Sequence, residues 1–185
     1  MKSFLTTAAV CALMAAGTVS EAASLKISHV RPQGAQVDID INAYAEAVAA
    51  ATDGDVALRV FPASALGDYT TVQEKVSIGA VDMAIQPGAA GIDRRMQISY
   101  FPYLAQDYAK AKELYGQGGA VRTAIEDIYD SQGITVLAAY PVYFGGISLN
   151  REAVDAGNPD AAKGIKVRVP GVKSFQMLAD SIGYI

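Results

Sequence analysis

The amino-acid sequence predicts an α/β chain built around a largely parallel β-sheet. Short runs alternate apolar and polar residues with period two, and longer runs place apolar residues three and four apart. These strand-type and helix-type runs alternate along the chain, which is typical of parallel strands joined by helical crossovers. In such sheets ligands bind beyond the carboxyl ends of the strands, so the residues that follow each strand are the candidates for a binding site.

The amino-terminal elements have clear boundaries. A strand is expected over residues 25–30, where alternation stops at Pro32, and a helix over residues 39–52, which Gly54 ends. A second strand is expected over residues 56–61.

The next unit repeats the pattern. Asp68 is placed to cap a helix over residues 69–78, and Gly79 to end it. A short buried strand over residues 81–85 follows. Further helices are predicted over residues 107–115, 120–132 and 172–181, a loop with a short helix over 96–104, and strands over 134–143, 145–149 and 165–169.

The first 22 residues have the pattern of a secretory signal peptide. Lys2 gives a basic start, residues 4–16 are apolar and uncharged, and small residues precede a cleavage site after Ala22. The apolar stretch is shorter than the roughly 20 residues that a membrane-spanning helix needs, and no later apolar run is long enough to span a bilayer. We therefore expect export to the periplasm and no stable membrane insertion after cleavage.

Composition excludes several classes of function. The net charge is -4, and the one adjacent basic pair is Arg94 with Arg95, so the sequence lacks the positive surface of a nucleic-acid-binding protein. The only cysteine, Cys11, lies in the signal segment, and His29 is the only histidine. Disulfide frameworks, thiol catalysis and His/Cys zinc sites are therefore not expected, and no metal or other cofactor is predicted.

Several short motifs, in order, resemble the periplasmic solute-binding subunits of TRAP transporters, the tripartite ATP-independent systems. They are Val-Phe-Pro-Ala-Ser-Ala-Leu-Gly at 60–67, Gln-Glu-Lys-Val at 73–76, Gly-Ala-Val-Asp-Met-Ala at 79–84, Phe-Pro-Tyr-Leu at 101–104, and Lys-Gly-Ile-Lys-Val-Arg-Val-Pro at 163–170. The resemblance covers essentially the whole chain after residue 22. It implies a protein of the dicarboxylate-binding-protein type that captures a small organic acid and delivers it to the membrane-embedded subunits of a transporter driven by an ion gradient.

The resemblance also implies the two-lobed fold of periplasmic binding proteins. Members usually run to about twice this length, so the chain corresponds to the amino-terminal half to two-thirds, ending before both lobes are complete. Residues 23–133 would form an incomplete lobe I, and residues 134–185 a hinge-crossing strand and the start of lobe II. Because each lobe would lack strands, unfolding without a single cooperative transition is expected.

Arg168 is the leading candidate for ligand binding. Its neighbours Val167 and Val169 are apolar and Pro170 ends the strand, so Arg168 should face away from the packed side near the carboxyl end. A guanidinium there can hold a carboxylate through two parallel hydrogen bonds. The resemblance implies that Arg168 is the carboxylate-binding arginine of the family. A second arginine that members usually carry is replaced by Gly146, which changes the expected ligand pose.

Four weaker candidates lie at or near other strand ends. His29 is a hydrogen-bond donor for a ligand or else a structural residue, and Gln86 offers an amide to ligand hydroxyls or else is a solvated turn residue. Tyr103 and Tyr143 are expected to wall the cleft or else to pack in the core or hinge.

The sequence carries no recognisable enzyme motif. The segment after Gly146 lacks the second glycine of a nucleophile elbow, no glycine-rich phosphate loop follows a strand, and nothing selects a pair of carboxylates. A binding protein rather than an enzyme is therefore expected. Two alternatives stay open: a secreted α/β hydrolase or lyase with a carboxylate dyad, and a truncated remnant of a binding protein without function.

Overall fold

The computed structural model describes residues 23–142, 144–169 and 173–185, so the predicted signal peptide, Tyr143 and Pro170 lie outside the described residues. The chain is mixed α/β with a parallel sheet, which confirms the predicted class. The elements are β1 (Ala23–His29), α1 (Gln36–Ala51), β2 (Val56–Phe61), α2 (Tyr69–Ser77), β3 (Met83–Ile85), a 3₁₀ helix (Arg94–Tyr100), α3 (Tyr108–Tyr115), α4 (Ala120–Asp130) and α5 (Lys173–Ser181).

The three strands form one parallel sheet in the order β2-β1-β3. His29, the last residue of β1, lies opposite Ile85, the last residue of β3. The chain leaves β1 toward β2 on one side and reaches β3 on the other, so the direction of the connections reverses at β1. Such a reversal opens a crevice outside the carboxyl ends of the two strands that flank it, here β1 and β3.

The core of this unit lies between the sheet and α1. Ile27 from the central strand packs with Val37 and Ile41 from α1, and all three are buried. The partly buried residues that pack against them come from the two outer strands, Leu58 and Val60 from β2 and Met83 and Ile85 from β3. Because this face is apolar, the register of the strands is fixed and the carboxyl ends of β1 and β3 are held side by side.

The helix boundaries differ from the sequence prediction mainly at α1. This helix begins at Gln36, three residues before the predicted start at 39. The prediction relied on the first apolar residue, whereas Asp38 in the first turn is favourable beside the unpaired N–H groups of the helix start. The cap of α2 is as predicted, because the Asp68 side chain accepts a hydrogen bond from the Thr71 N–H at 2.9 Å.

The predicted strands over 134–143 and 145–149 were wrong for the residues that the structure describes. The described residues of these two segments form no strand ladder, and several apolar side chains are exposed, Leu137 to 65%. The apolar pattern indicates a strand, yet a strand also needs a neighbouring backbone to bond with. Phe144 instead packs edge to face on Tyr108 of α3, with ring centroids 4.9 Å apart.

The predicted strand over 165–169 also was not formed, although its backbone is partly paired. The Val167 N–H donates to the Ile185 carbonyl at 2.9 Å, and the Ile185 N–H donates to the Ile165 carbonyl at 3.0 Å. One residue that bonds in this way to two residues of the neighbouring segment is typical of a parallel pair, with α5 as its crossover. The pairing reaches too few residues to make a regular strand.

Every helix in the described part of the chain falls short of the length and apolar character needed to span a membrane.

Candidate functional site

Two loops, residues 30–35 and 86–93, follow the carboxyl ends of β1 and β3, the position at which parallel sheets bind ligands. Besides His29 and Gln86, these loops are held by side chains that the sequence did not single out.

A buried pair fixes the first loop. The Nε2 of His29 donates to the Asp38 carboxylate at 3.0 Å, and the other carboxylate oxygen accepts the Gly34 N–H at 2.8 Å. The Asn42 side chain adds a longer contact of 3.3 Å to the same carboxylate. Asp38 on α1 thus ties the end of β1 to the turn that follows it, and this sets the path of residues 30–35.

His29 therefore has the surroundings of a structural residue. Its side chain is buried, with 1% of the residue exposed, and its Nδ1 has no hydrogen-bond partner among the described residues. A ligand in the crevice has no exposed imidazole to meet there. His29 supports the site by its bond to Asp38, which corresponds to the structural alternative raised by the sequence.

Hydrogen bonds lower the pKa of Asp38 below its usual value. The main cause is the hydrogen bond from the Gly34 backbone, and the bond and the charge of His29 act in the same direction. A carboxylate whose pKa is lowered in the folded state stabilises that state above the unfolded pKa of about 4, and this stabilisation is lost as the pH falls through the folded value.

We expect the protein to lose stability on acidification below about pH 4, and Asp38→Asn to flatten this dependence. The variant is less stable than wild type at pH 7, and the difference shrinks toward pH 2, because a protonated Asp38 has also lost its charge-assisted bonds. Thermal unfolding measured from pH 7 to pH 2 checks this. Asp40→Asn, two residues away and exposed, is the matched control. Equal pH profiles for wild type and Asp38→Asn would contradict the assignment.

Three hydrogen bonds from side chains fix the second loop. Gln86 donates its Nε2 to the Tyr69 carbonyl at 2.8 Å, the Tyr100 hydroxyl donates to the Gly88 carbonyl at 2.9 Å, and the Gln73 side-chain oxygen accepts the Ala89 N–H at 2.8 Å. These three bonds tie the loop after β3 to α2 and to the 3₁₀ helix.

The sequence analysis did not identify Gln73 and Tyr100, whose side chains hold the second loop. Gln73 is almost fully buried, and its Nε2 donates to the Gln132 side chain at 2.7 Å, so it joins α2 to the end of α4. Burial raises the pKa of Tyr100, which keeps its hydroxyl protonated as a donor. A polar residue in a predicted helix is assigned to the solvent side by default, so periodicity carried no signal for Gln73.

Arg168 is exposed, and its neighbours follow the expected alternation. Ile165 is buried, Val167 is half-buried, and Lys166 and Arg168 are exposed. Among the residues that the structure describes, the guanidinium of Arg168 has neither an ion pair nor a hydrogen bond. It is therefore free to bind an anion.

An aromatic contact connects the segment of Arg168 with the second loop. Phe175, in the first turn of α5, lies edge to face with Tyr100 at a centroid distance of 5.8 Å. The same Tyr100 bonds to Gly88 in the loop after β3. The helix that follows Arg168 is therefore packed against the residue that holds the Gln86 loop.

The remaining candidates lie apart from these loops or outside the description. Tyr103 is 83% exposed with a left-handed backbone, φ 60°, and lines a shallow hollow with Asp107 and Lys110 at the start of α3. Tyr143 lies outside the described residues. No hydrogen bond or ion pair within the described ranges joins Arg168, His29, Gln86 and Tyr103 to one another. The same ranges bring together no group of three His, Cys, Asp or Glu side chains that fits a metal ion.

Comparison with known proteins decides the family. The family model of the bacterial extracellular solute-binding proteins, family 7 (DctP), matches residues 27–185. The chain belongs to this family. The resemblance drawn from the sequence motifs is thereby confirmed.

Solved structures of TRAP periplasmic solute-binding proteins share the fold. A TRAP periplasmic solute-binding protein from Ochrobactrum anthropi with bound L-fuconate has a TM-score of 0.70 at 22% identity and covers 89% of this chain. A TRAP periplasmic solute-binding protein from Desulfovibrio salexigens with bound orotic acid has a TM-score of 0.53 at 26% identity over 60% of this chain. A Haemophilus influenzae protein described as uncharacterized is 27% identical over 137 residues, 70% of this chain.

The chain spans only part of these proteins. It covers 54% of the Ochrobactrum protein, 36% of the Desulfovibrio protein and 40% of the Haemophilus protein. The activity of a whole family member therefore comes to this chain only as a proposal.

Proposed function

We propose that this protein is the periplasmic solute-binding subunit of a TRAP transporter, which captures a small organic acid and delivers it to ion-gradient-driven membrane subunits. The observation that carries the proposal is the exposed guanidinium of Arg168, within the family motif at 163–170, which has no hydrogen bond or ion pair to any residue that the structure describes. Two relatives with the same fold hold acids, L-fuconate in one and orotic acid in the other.

In this proposal Arg168 binds the carboxylate and the loop at Gln86 contacts the rest of the ligand. A planar guanidinium donates two parallel hydrogen bonds to a carboxylate, which fixes both its charge and its orientation. Position 146, where family members usually carry a second arginine, is an exposed glycine in this chain, so a second guanidinium is missing there. The single anchor favours a monocarboxylate over a diacid. Tyr103 and Tyr143 belong to the proposal as further cleft residues, and His29 as support for the first loop.

Residues 1–22 serve as the signal peptide in this proposal, and the protein acts in the periplasm. Residues 23–133 belong to lobe I, and residues 134–185 carry the crossing segment and the start of lobe II. Closure of the two lobes over the acid removes water from Arg168 and strengthens its bonds to the carboxylate. We propose no catalytic role, because the family and these relatives are solute-binding proteins.

Titration calorimetry with L-fuconate, orotate and the neutral sugar L-fucose tests the proposal. At least one acid is expected to bind, with a dissociation constant at least about a hundredfold below that of L-fucose, because the neutral ligand would leave the Arg168 guanidinium unpaired once closure of the lobes buries it. Equal binding of L-fucose and L-fuconate, binding of no acid, or chemical conversion of a bound acid would contradict the proposal.

A further inference from the structure

A bridge of two glutamines connects the loop after β3 with the end of α4. Gln73, in α2, is 2% exposed. Its Oε1 accepts the Ala89 N–H at 2.8 Å, and its Nε2 donates to the Gln132 Oε1 at 2.7 Å. Gln132 in turn donates its Nε2 to the Ile128 carbonyl at 3.2 Å. We refer to Gln73 and Gln132 as the glutamine bridge.

The orientation of each amide in the glutamine bridge is fixed by its neighbours. A backbone N–H can only donate, so Gln73 presents its oxygen to Ala89 and its nitrogen to Gln132. Gln132 must then accept with its oxygen, which leaves its nitrogen for the Ile128 carbonyl. Turning over either amide would place two donors or two acceptors face to face, so the bridge holds a single arrangement.

The far end of the bridge lies where the chain leaves α4. Gly133, with φ 72°, directly follows Gln132, and the Ile134 N–H closes the turn by donating to the Tyr129 carbonyl at 3.0 Å. Among the residues that the structure describes, the bond between Gln73 and Gln132 is the only hydrogen bond that joins α2 to residues 128–134. The glutamine bridge is therefore the direct polar link between the loop after β3 and Ile134.

We propose that Gln73 is a positioning residue, which couples the loop after β3 to the start of the segment that crosses to lobe II. This inference rests on the proposed function, in which the crossing segment begins at residue 134. An apolar side chain would fill the buried position of Gln73 without the cost of burying an amide, and that cost is offset only because both ends of the amide are bonded. A movement of the loop when the lobes close must therefore either carry Gln132 with it or break a buried hydrogen bond.

Native-state hydrogen exchange without ligand tests the coupling in both directions. In Gln132→Met the Ala89 N–H keeps its acceptor, yet its protection should fall about threefold, because Gln73 is no longer held from the other side. In Gln73→Met the protection of the Ile134 N–H should also fall about threefold, although its own backbone acceptor is untouched. Gln132 is only half-buried, so Gln132→Met keeps the test valid if Gln73→Met fails to fold.

Two controls separate coupling from a general loss of stability. Gln117→Met changes an exposed glutamine between α3 and α4 and should leave the Ala89 and Ile134 amides unchanged. The Ile27 amide of β1 lies outside the glutamine bridge and should keep its protection in every variant. Unchanged protection at the distant amide in the bridge variants, or an equal fall at Ile27, would overturn the coupling.

Exchange measured with L-fuconate and with orotate separates this inference from the proposed function. In the wild type a bound acid is expected to raise the protection of the Ile134 amide, because closure orders the crossing segment. In Gln132→Met the acid should still bind, but this increase should be at least about threefold smaller. No increase in the wild type, or the same increase in Gln132→Met, would overturn the coupling alone. If the wild type binds no acid, the proposed function is contradicted, and the exchange without ligand decides the role of Gln73 by itself.

Discussion

Arg168→Ala is expected to lower the affinity for the bound acid about a hundredfold to several thousandfold. In the proposed binding mode the closing lobes bury the carboxylate, and without the guanidinium it would lose its counter-charge at a cost of about 3 to 5 kcal/mol. Arg168→Lys should recover only part of the loss. Lysine keeps the positive charge, but it has no planar pair of donors, so the preference for a carboxylate over an amide should also weaken.

Lys166→Ala is the matched control for this experiment. Lys166 is exposed on the same side of the alternation, two residues before Arg168. Its removal changes the net charge by the same amount, so it reports any long-range effect of charge on the affinity. Calorimetry with L-fuconate and orotate compares the affinities of Arg168→Ala, Arg168→Lys and Lys166→Ala. If Arg168→Ala and Lys166→Ala bind the acid with equal affinity, Arg168 is a surface residue and does not bind the carboxylate.

Ile41→Ala is expected to destabilise the β1–β3 unit by about 2 to 5 kcal/mol. Ile41 is 1% exposed and packs from α1 against Ile27 in the central strand. Truncation leaves a cavity between α1 and the sheet, and the surrounding side chains fill it only in part. The conservative Ile41→Val should cost only about 0.5 to 1.5 kcal/mol.

Native-state hydrogen exchange of the β1 amides measures this effect without assuming a two-state transition. Protection of the Ile27 amide should fall about thirtyfold or more in Ile41→Ala. Ile39→Ala is the control on the same helix, because Ile39 is 52% exposed and a surface change there should stay within about 0.5 kcal/mol. Equal loss of protection in the two alanine variants would show that α1 is not packed on the sheet as described.

The local pattern of the sequence predicts the first half of the chain well. The strand predicted at 56–61 is β2 as observed, and the cap at Asp68 is present. In this region apolar periodicity coincides with real burial, because β1, β2, β3 and α1 cover one another. Beyond residue 133 the same signals predict strands that the described residues do not form, because strand formation there depends on backbone partners and not on the apolar pattern alone.

The position of the candidate site is predictable from the sequence, but its supporting residues are not. Gln86 and Arg168 were identified because they stand at or next to ends of predicted strands. Asp38 and Gln73 were not identified, since their roles depend on contacts with Gly34 and Ala89 that only the folded chain brings about. The sequence also left His29 between two roles, and its burial against Asp38 distinguishes them.

A crystal structure of the protein grown with L-fuconate tests the central claim most directly. We expect two nitrogen–oxygen distances of about 2.7 to 2.9 Å between the Arg168 guanidinium and the ligand carboxylate. A ligand whose carboxylate is held by other residues, with Arg168 still facing solvent, would contradict it.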